Sequence, residues 1–105
     1  MSTLYIAEYR LLASVPSATN YAPQPAQAPQ EPPLVEQTLP ISGSSTASAP
    51  FNGFTALIRV QCDATCSVLV GTSPSATTVN KRMAANQTEF FGVAPGQQIA
   101  VISNV

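Results

Sequence analysis

Few side chains in this sequence can do acid–base or covalent chemistry, and the one that most active sites rely on is missing. Among 105 residues there are five Asp or Glu, four Lys or Arg, two Cys and no histidine. Without an imidazole, Ser-His and Cys-His nucleophile pairs and His-bearing metal sites are all out of reach. Cys62 and Cys66 stand in VQCDATCSV with the spacing CxxxC, which is not the CxxC of redox and zinc sites. The carboxylates are not paired by spacing, so a general acid–base site has no evident couple. The sequence predicts a non-enzymatic protein with no catalytic residues, no cofactor and no metal site.

The remaining polar residues have plain structural readings. Glu89, beside Phe90 and Phe91, reads as the solvent face of a strand. Lys81-Arg82 is the only basic doublet and reads as a solvated loop pair. Asp63 suits the turn between the two cysteines. Asn86-Gln87-Thr88 matches a glycosylation triplet, a chance match where no secretory signal accompanies it.

Charge excludes further classes. Only 9% of residues are charged and the formal net charge is −1. Phosphate binding needs clustered Lys and Arg that release counterions, so no nucleic acid is expected as a partner. Glu8 and Arg10 interrupt the first apolar run, which speaks against a signal peptide, and no stretch approaches the ~20 apolar residues that span a bilayer. Neither export nor membrane insertion is expected, and the thiols belong in a reducing compartment.

Eight of the ten prolines lie between Pro16 and Pro50, and they divide the chain into zones. The first zone, to about Ala13, carries Leu4, Tyr5, Ile6, Tyr9, Leu11 and Leu12. From Ser14 to Pro33 runs SVPSATNYAPQPAQAPQEPP, with too little apolar surface to offset an ordering cost of roughly 1–2 kcal/mol per residue. Its prolines favour extended chain, read either as a loose linker or as a strap on another protein's surface. Most remaining apolar side chains follow Leu34. The expected organisation is an N-terminal strand with a proline-rich arm over 1–33 and a β-sandwich domain over 34–105.

Period-two alternation supports that domain. Strands are expected at Leu34–Leu39, ending at Pro40, at Phe54–Cys62, and at Cys66–Val70, its partner across a hairpin loop. Both thiols then point inward as small core hydrophobes, with a cross-strand disulfide after release from the cell as the alternative. Short strands are expected at Thr77–Val79, Glu89–Val93 and Gln98–Ile102, with Pro95-Gly96 placed for a type II turn and a helix allowed only near Lys81–Asn86. The fold class is all-β, a small antiparallel β-sandwich or jelly-roll-like barrel with an extended N-terminal arm. TLYIAEYRLL reads as a strand more than as a helix, given its tyrosines and isoleucine. Separated from its sandwich by some twenty linker residues with a reach of roughly 60 Å, it could add to a neighbouring subunit's sheet. Leu4, Tyr5, Ile6 and Tyr9 are the candidate interaction residues of that arm.

The order of elements after Phe54 resembles a group of small virion proteins of tailed bacteriophages. An Arg-bearing strand with Arg59 is followed by the Asp63–Cys66 hairpin and by Gly71-Thr72-Ser73-Pro74-Ser75-Ala76-Thr77. Then come Lys81-Arg82-Met83, Glu89–Val93, Pro95-Gly96 and Ile99–Ile102, and the opening TLYIAEY is also similar. The proline-rich middle is longer than in that pattern. The resemblance implies a capsid decoration or cement protein, made in the host cytoplasm and carried on the virion surface. Its implied partners are the major capsid protein and neighbouring copies of itself, with a trimer as the guess for a shell protein. A neck or tail component is the alternative, and a carbohydrate- or receptor-binding sandwich is a third.

Overall fold

A computed structural model describes residues 2–16 and 23–105. All regular structure among them is antiparallel β, with no helix and so none long and apolar enough to cross a membrane. Ten strands follow in order: β1 (Ser2–Tyr9), β2 (Leu12–Pro16), β3 (Pro23–Pro29), β4 (Val35–Ile41), β5 (Thr46–Ala47), β6 (Leu57–Cys62), β7 (Cys66–Gly71), β8 (Lys81–Met83), β9 (Thr88–Gly92) and β10 (Gln98–Ser103). One sheet has the order β4-β1-β6-β9, the second β5-β10-β7-β8, and β2 pairs with β3 as a separate ribbon. The two four-stranded sheets form a β-sandwich. From β4 onward every connection crosses between sheets except the one joining β7 to β8, a jelly-roll-like interleaving.

Alternation explains which faces meet. Leu4 and Ile6 of β1, Ile58, Val60 and Cys62 of β6, and Leu39 and Ile41 of β4 face inward from the first sheet. Cys66 and Val68 of β7, Met83 of β8, and Ile99 and Val101 of β10 meet them from the second. Phe51, in the segment between β5 and β6, joins the same cluster. At Ala94-Pro95-Gly96-Gln97 the expected type II turn forms, with Gly96 at φ 81° and Gln97 N–H donating to Ala94 O at 3.2 Å.

The boundary expected at 33/34 does not divide the molecule into an arm and a sandwich. β1 is an inner strand of the first sheet, with β4 on one side and β6 on the other, in the registers Leu4↔Leu39 and Leu4↔Cys62. Its apolar face is part of the core. The long connection returns the chain antiparallel beside β1, first as the β2–β3 ribbon and then as β4, with Gln30 N–H donating to Leu11 O at 2.9 Å. The proline-rich segment is therefore a two-stranded ribbon where it is described, and residues 17–22 of the expected strap lie outside the described residues.

Four local expectations also change. Cys62 and Cys66 do not close a hairpin, because β6 and β7 lie in different sheets and Asp63-Ala64-Thr65 carries the chain across. Thr77–Val79 is a turn in which the Asn80 side chain accepts from Thr77 N–H at 2.6 Å and leaves Val79 90% exposed. Lys81–Met83 is strand, not helix, and ends in a turn where Asn86 takes φ 66°, a conformation Asn tolerates. Pro40 lies within β4, an outer strand, where a missing N–H costs nothing if it points away from the sheet.

Because Leu4 is fully buried between two strands and the opposite sheet, truncating it leaves a cavity. Leu4→Ala should lower unfolding free energy by about 2–5 kcal/mol, measured by urea denaturation. A surface-arm role for β1 would leave the midpoint unchanged.

Candidate functional site

The outer faces of the two sheets differ in how they are covered. On the second sheet the segment after β7 folds back. Ala76 is buried with its N–H donating to Ser45 Oγ at 2.8 Å, and Asn104 Nδ2 donates to Ser67 Oγ and Thr78 O. Ser67 and Ala100, on the outward side of that sheet, are consequently buried. Among the described residues the first sheet has no such cover except at the root of the ribbon.

That root is built from β1 and the approach to β4. Tyr9 points outward from β1 yet is only 3% exposed, and its hydroxyl donates to Glu31 Oε2 at 2.8 Å. Burial raises the Tyr9 pKa above 10.0, with the hydrogen bond and negative charge of Glu31 adding in the same direction. Around this anchor lie apolar side chains in water: Leu11, Leu12, Leu34, Phe54 and Phe90 are exposed, and the Arg10 guanidinium stands 5.2 Å over the Phe54 ring. Leu12, Ala28 and Pro29 of the ribbon face Leu57 and Phe90 of the sheet across an apolar cleft of about 220 Å³. On the other side of Tyr9, Ala7 floors a shallow depression of about 270 Å³ flanked by Tyr5, Glu36, Thr38 and Arg59. Together they make one continuous face with an apolar end at the ribbon and a polar end around Tyr5.

Of the four residues expected to act in an interaction arm, Leu4 and Ile6 are core, Tyr9 is the buried anchor of the ribbon, and only Tyr5 is presented to solvent. β1 cannot add to a neighbouring sheet in this fold, because both of its edges are already paired.

Asp63 ties the crossing segment to the start of β1: its Oδ1 accepts from Thr3 N–H at 2.7 Å, and its own N–H donates to Thr3 O. Glu89 pairs with Val60 on the inward side of β9 and is half-buried, not on the solvent face, with Gln87 Nε2 donating to it at 2.6 Å. Lys81 lies 4.7 Å over the Phe91 ring, closing the gap between the two sheets at that edge.

Glu8 was not singled out by spacing, yet its carboxylate is 1% exposed and organises its surroundings. Oε1 accepts from Asn52 N–H and from Thr55 Oγ1, both at 2.8 Å, and Oε2 accepts from Gln37 Nε2 at 3.1 Å. The only hint in sequence is position: counting by two from Leu4 and Ile6 puts Glu8 on the apolar face, where a carboxylate must find donors. Among the described residues no group of three or more His, Cys, Asp or Glu side chains comes together to hold a metal.

Both cysteines are free thiols in the core, and Cys62 Sγ donates to Ala84 O at 3.0 Å. Burial, with Cys62 alongside, pushes the Cys66 pKa from 9.0 up to about 12. The folded chain therefore keeps this proton at pH values where the unfolded chain releases its own. Stability should be full below about pH 9 and fall as pH rises toward about 12, with Tyr9 contributing in the same direction. Chemical denaturation across that range checks it, and a Cys66→Ala variant should flatten the early part of the decline.

Comparison with protein-family models, with curated proteins and with solved structures finds no match to this chain.

Proposed function

We propose that this protein is a non-enzymatic structural protein of a tailed-phage virion. Made in the host cytoplasm, it decorates and cements the capsid surface through contacts with the major capsid protein and with copies of itself. One observation carries the reading: a proline-rich ribbon leaves the sandwich beside a sheet face that the described residues do not cover, and is ringed at its root by exposed Leu11, Leu12, Leu34, Phe54 and Phe90. Contiguous apolar surface of this kind is a mark of interaction sites in soluble proteins. A ribbon already paired with itself also loses less freedom on docking than a loose strap would.

Low charge supports the same reading. A surface of Ser, Thr, Ala and Gln can be covered by a shell without stranding unpaired charges. Sandwich and ribbon on one chain give two points of attachment, and the first raises the effective concentration of the second. Placement at the neck or tail is the alternative within a virion, and copy number separates the two, since shell decoration is far more numerous than a ring on the tail axis.

The depression around Tyr5, with Glu36, Arg59 and Thr38 beside an exposed ring, favours carbohydrate recognition as a second reading. Glycan-array binding lost in Tyr5→Ala would support it.

The shell reading is tested by replacing residues 12–29 with Asn-Gly, joining Leu11 to Gln30 where their backbones already meet. This variant should keep its sheet circular dichroism and lose occupancy on particles, scored by cryo-electron microscopy. Undiminished occupancy would remove the ribbon from attachment.

A further inference from the structure

The sandwich has four outer strands, and three of them are poor templates for another strand. β5 has two residues, and β8 has three, two of them Lys81 and Arg82. On β4 the ladder directs the main-chain groups of Glu36, Thr38 and Pro40 away from β1, and Pro40 has no N–H to offer.

β9 differs. Val93 N–H donates to Ala56 O at 3.0 Å and Cys62 N–H to Gln87 O at 3.4 Å. In the register Leu57↔Gly92 to Gln61↔Thr88, the odd-numbered residues of β9 therefore bond to β6. The N–H and C=O groups of Thr88, Phe90 and Gly92 point out of the sheet. TEFFG contains neither Pro nor Lys, and there is open space beside Gly92.

We propose that β9 is a dimerisation edge: two copies of this chain join β9 to β9, antiparallel, about a two-fold axis at Phe90, continuing the two first sheets into one of eight strands. An isologous contact needs residue i to meet j and j to meet i. With the axis on Phe90, each Phe90 exchanges both main-chain hydrogen bonds with the partner's Phe90, and Thr88 faces the partner's Gly92. The Phe90 rings, 51% exposed in one copy, come together on the outer face as a cross-strand aromatic pair.

The inner face supplies charge complementarity. There Glu89 falls opposite the partner's Phe91. Since Lys81 Nζ sits 4.7 Å over the Phe91 ring, Glu89 meets the partner's Lys81, and the symmetry repeats the pair. An inward-pointing carboxylate on an outer strand discourages pairing with an arbitrary strand. It admits one that brings its own cation to that place, and a second copy of this chain does. The inference is independent of the virion reading and concerns the free chain.

Analytical ultracentrifugation of the full chain over a concentration series should show a monomer–dimer equilibrium built from the 10.9 kDa chain. Phe90→Pro removes an outward N–H and no bond to β6, so it should yield a monomer with unchanged sheet circular dichroism. A second measurement does not depend on how that variant folds. Lys81→Glu and Glu89→Lys should each weaken the homodimer about tenfold or more. Mixing the two variants should restore a heterodimer, which charge pairing within one chain cannot do. A chain that stays monomeric, a trimer, or a dimer indifferent to both Phe90→Pro and mixing would overturn the proposal.

Discussion

A carboxylate inside a β-sandwich sets the terms for its surroundings. Glu8 lies on the inward face of β1, two positions beyond Ile6, where water cannot solvate it. A buried carboxyl group is tolerated in such a place only when hydrogen-bond partners converge on it. Gln37 comes from β4, Asn52 and Thr55 from the segment leading to β6, and the Glu8 carbonyl takes the Leu34 N–H at 2.7 Å. β4 and the segment that leads into β6 are thus tied to one side chain. Gln37 passes the constraint on, because its Oε1 accepts from Ala49 N–H at 3.1 Å. Removing the carboxylate would strand the buried Thr55 hydroxyl, a loss of about 1–3 kcal/mol, and would release the Asn52 N–H and the Gln37 amide.

Much of the sheet structure was legible locally. The alternation in Leu57–Cys62, Cys66–Val70 and Gln98–Ile102 records which side chains face the core, and Pro95-Gly96 carries its turn geometry in its residue types. Partner choice was less visible, since period two states only that a residue has an inside and an outside. Cys62 and Cys66 look like the two ends of a hairpin because only Asp63-Ala64-Thr65 separates them, yet each thiol reaches the same core from a different sheet. β1 shows the same limit. Its Leu4-Tyr5-Ile6 alternation marks a strand with one apolar face, and nothing local says that β4 and β6 of the same chain pair with its two edges.

The two outer faces divide the work of the molecule. The second sheet spends its connecting segment and its last residues on covering itself, through Ala76, Ser45 and Asn104. The first leaves Phe90, Leu57, Tyr5 and the root of the ribbon uncovered among the described residues. With few charges anywhere, the difference between these faces is one of apolar area and hydrogen-bonding capacity, and screening by salt would change it little.

The inner position of β1 has a consequence in time. Its residues are synthesised before either neighbour, and the ladder on its far side cannot close until Leu57–Cys62 has been made. Until then Leu4 and Ile6 are an apolar segment without a sheet, and the proline-rich stretch that follows offers them nothing to bury against. Long-range closure of this kind makes folding slow and leaves the early chain prone to aggregation. A strand that precedes both of its partners in the chain is thus among the last to be enclosed.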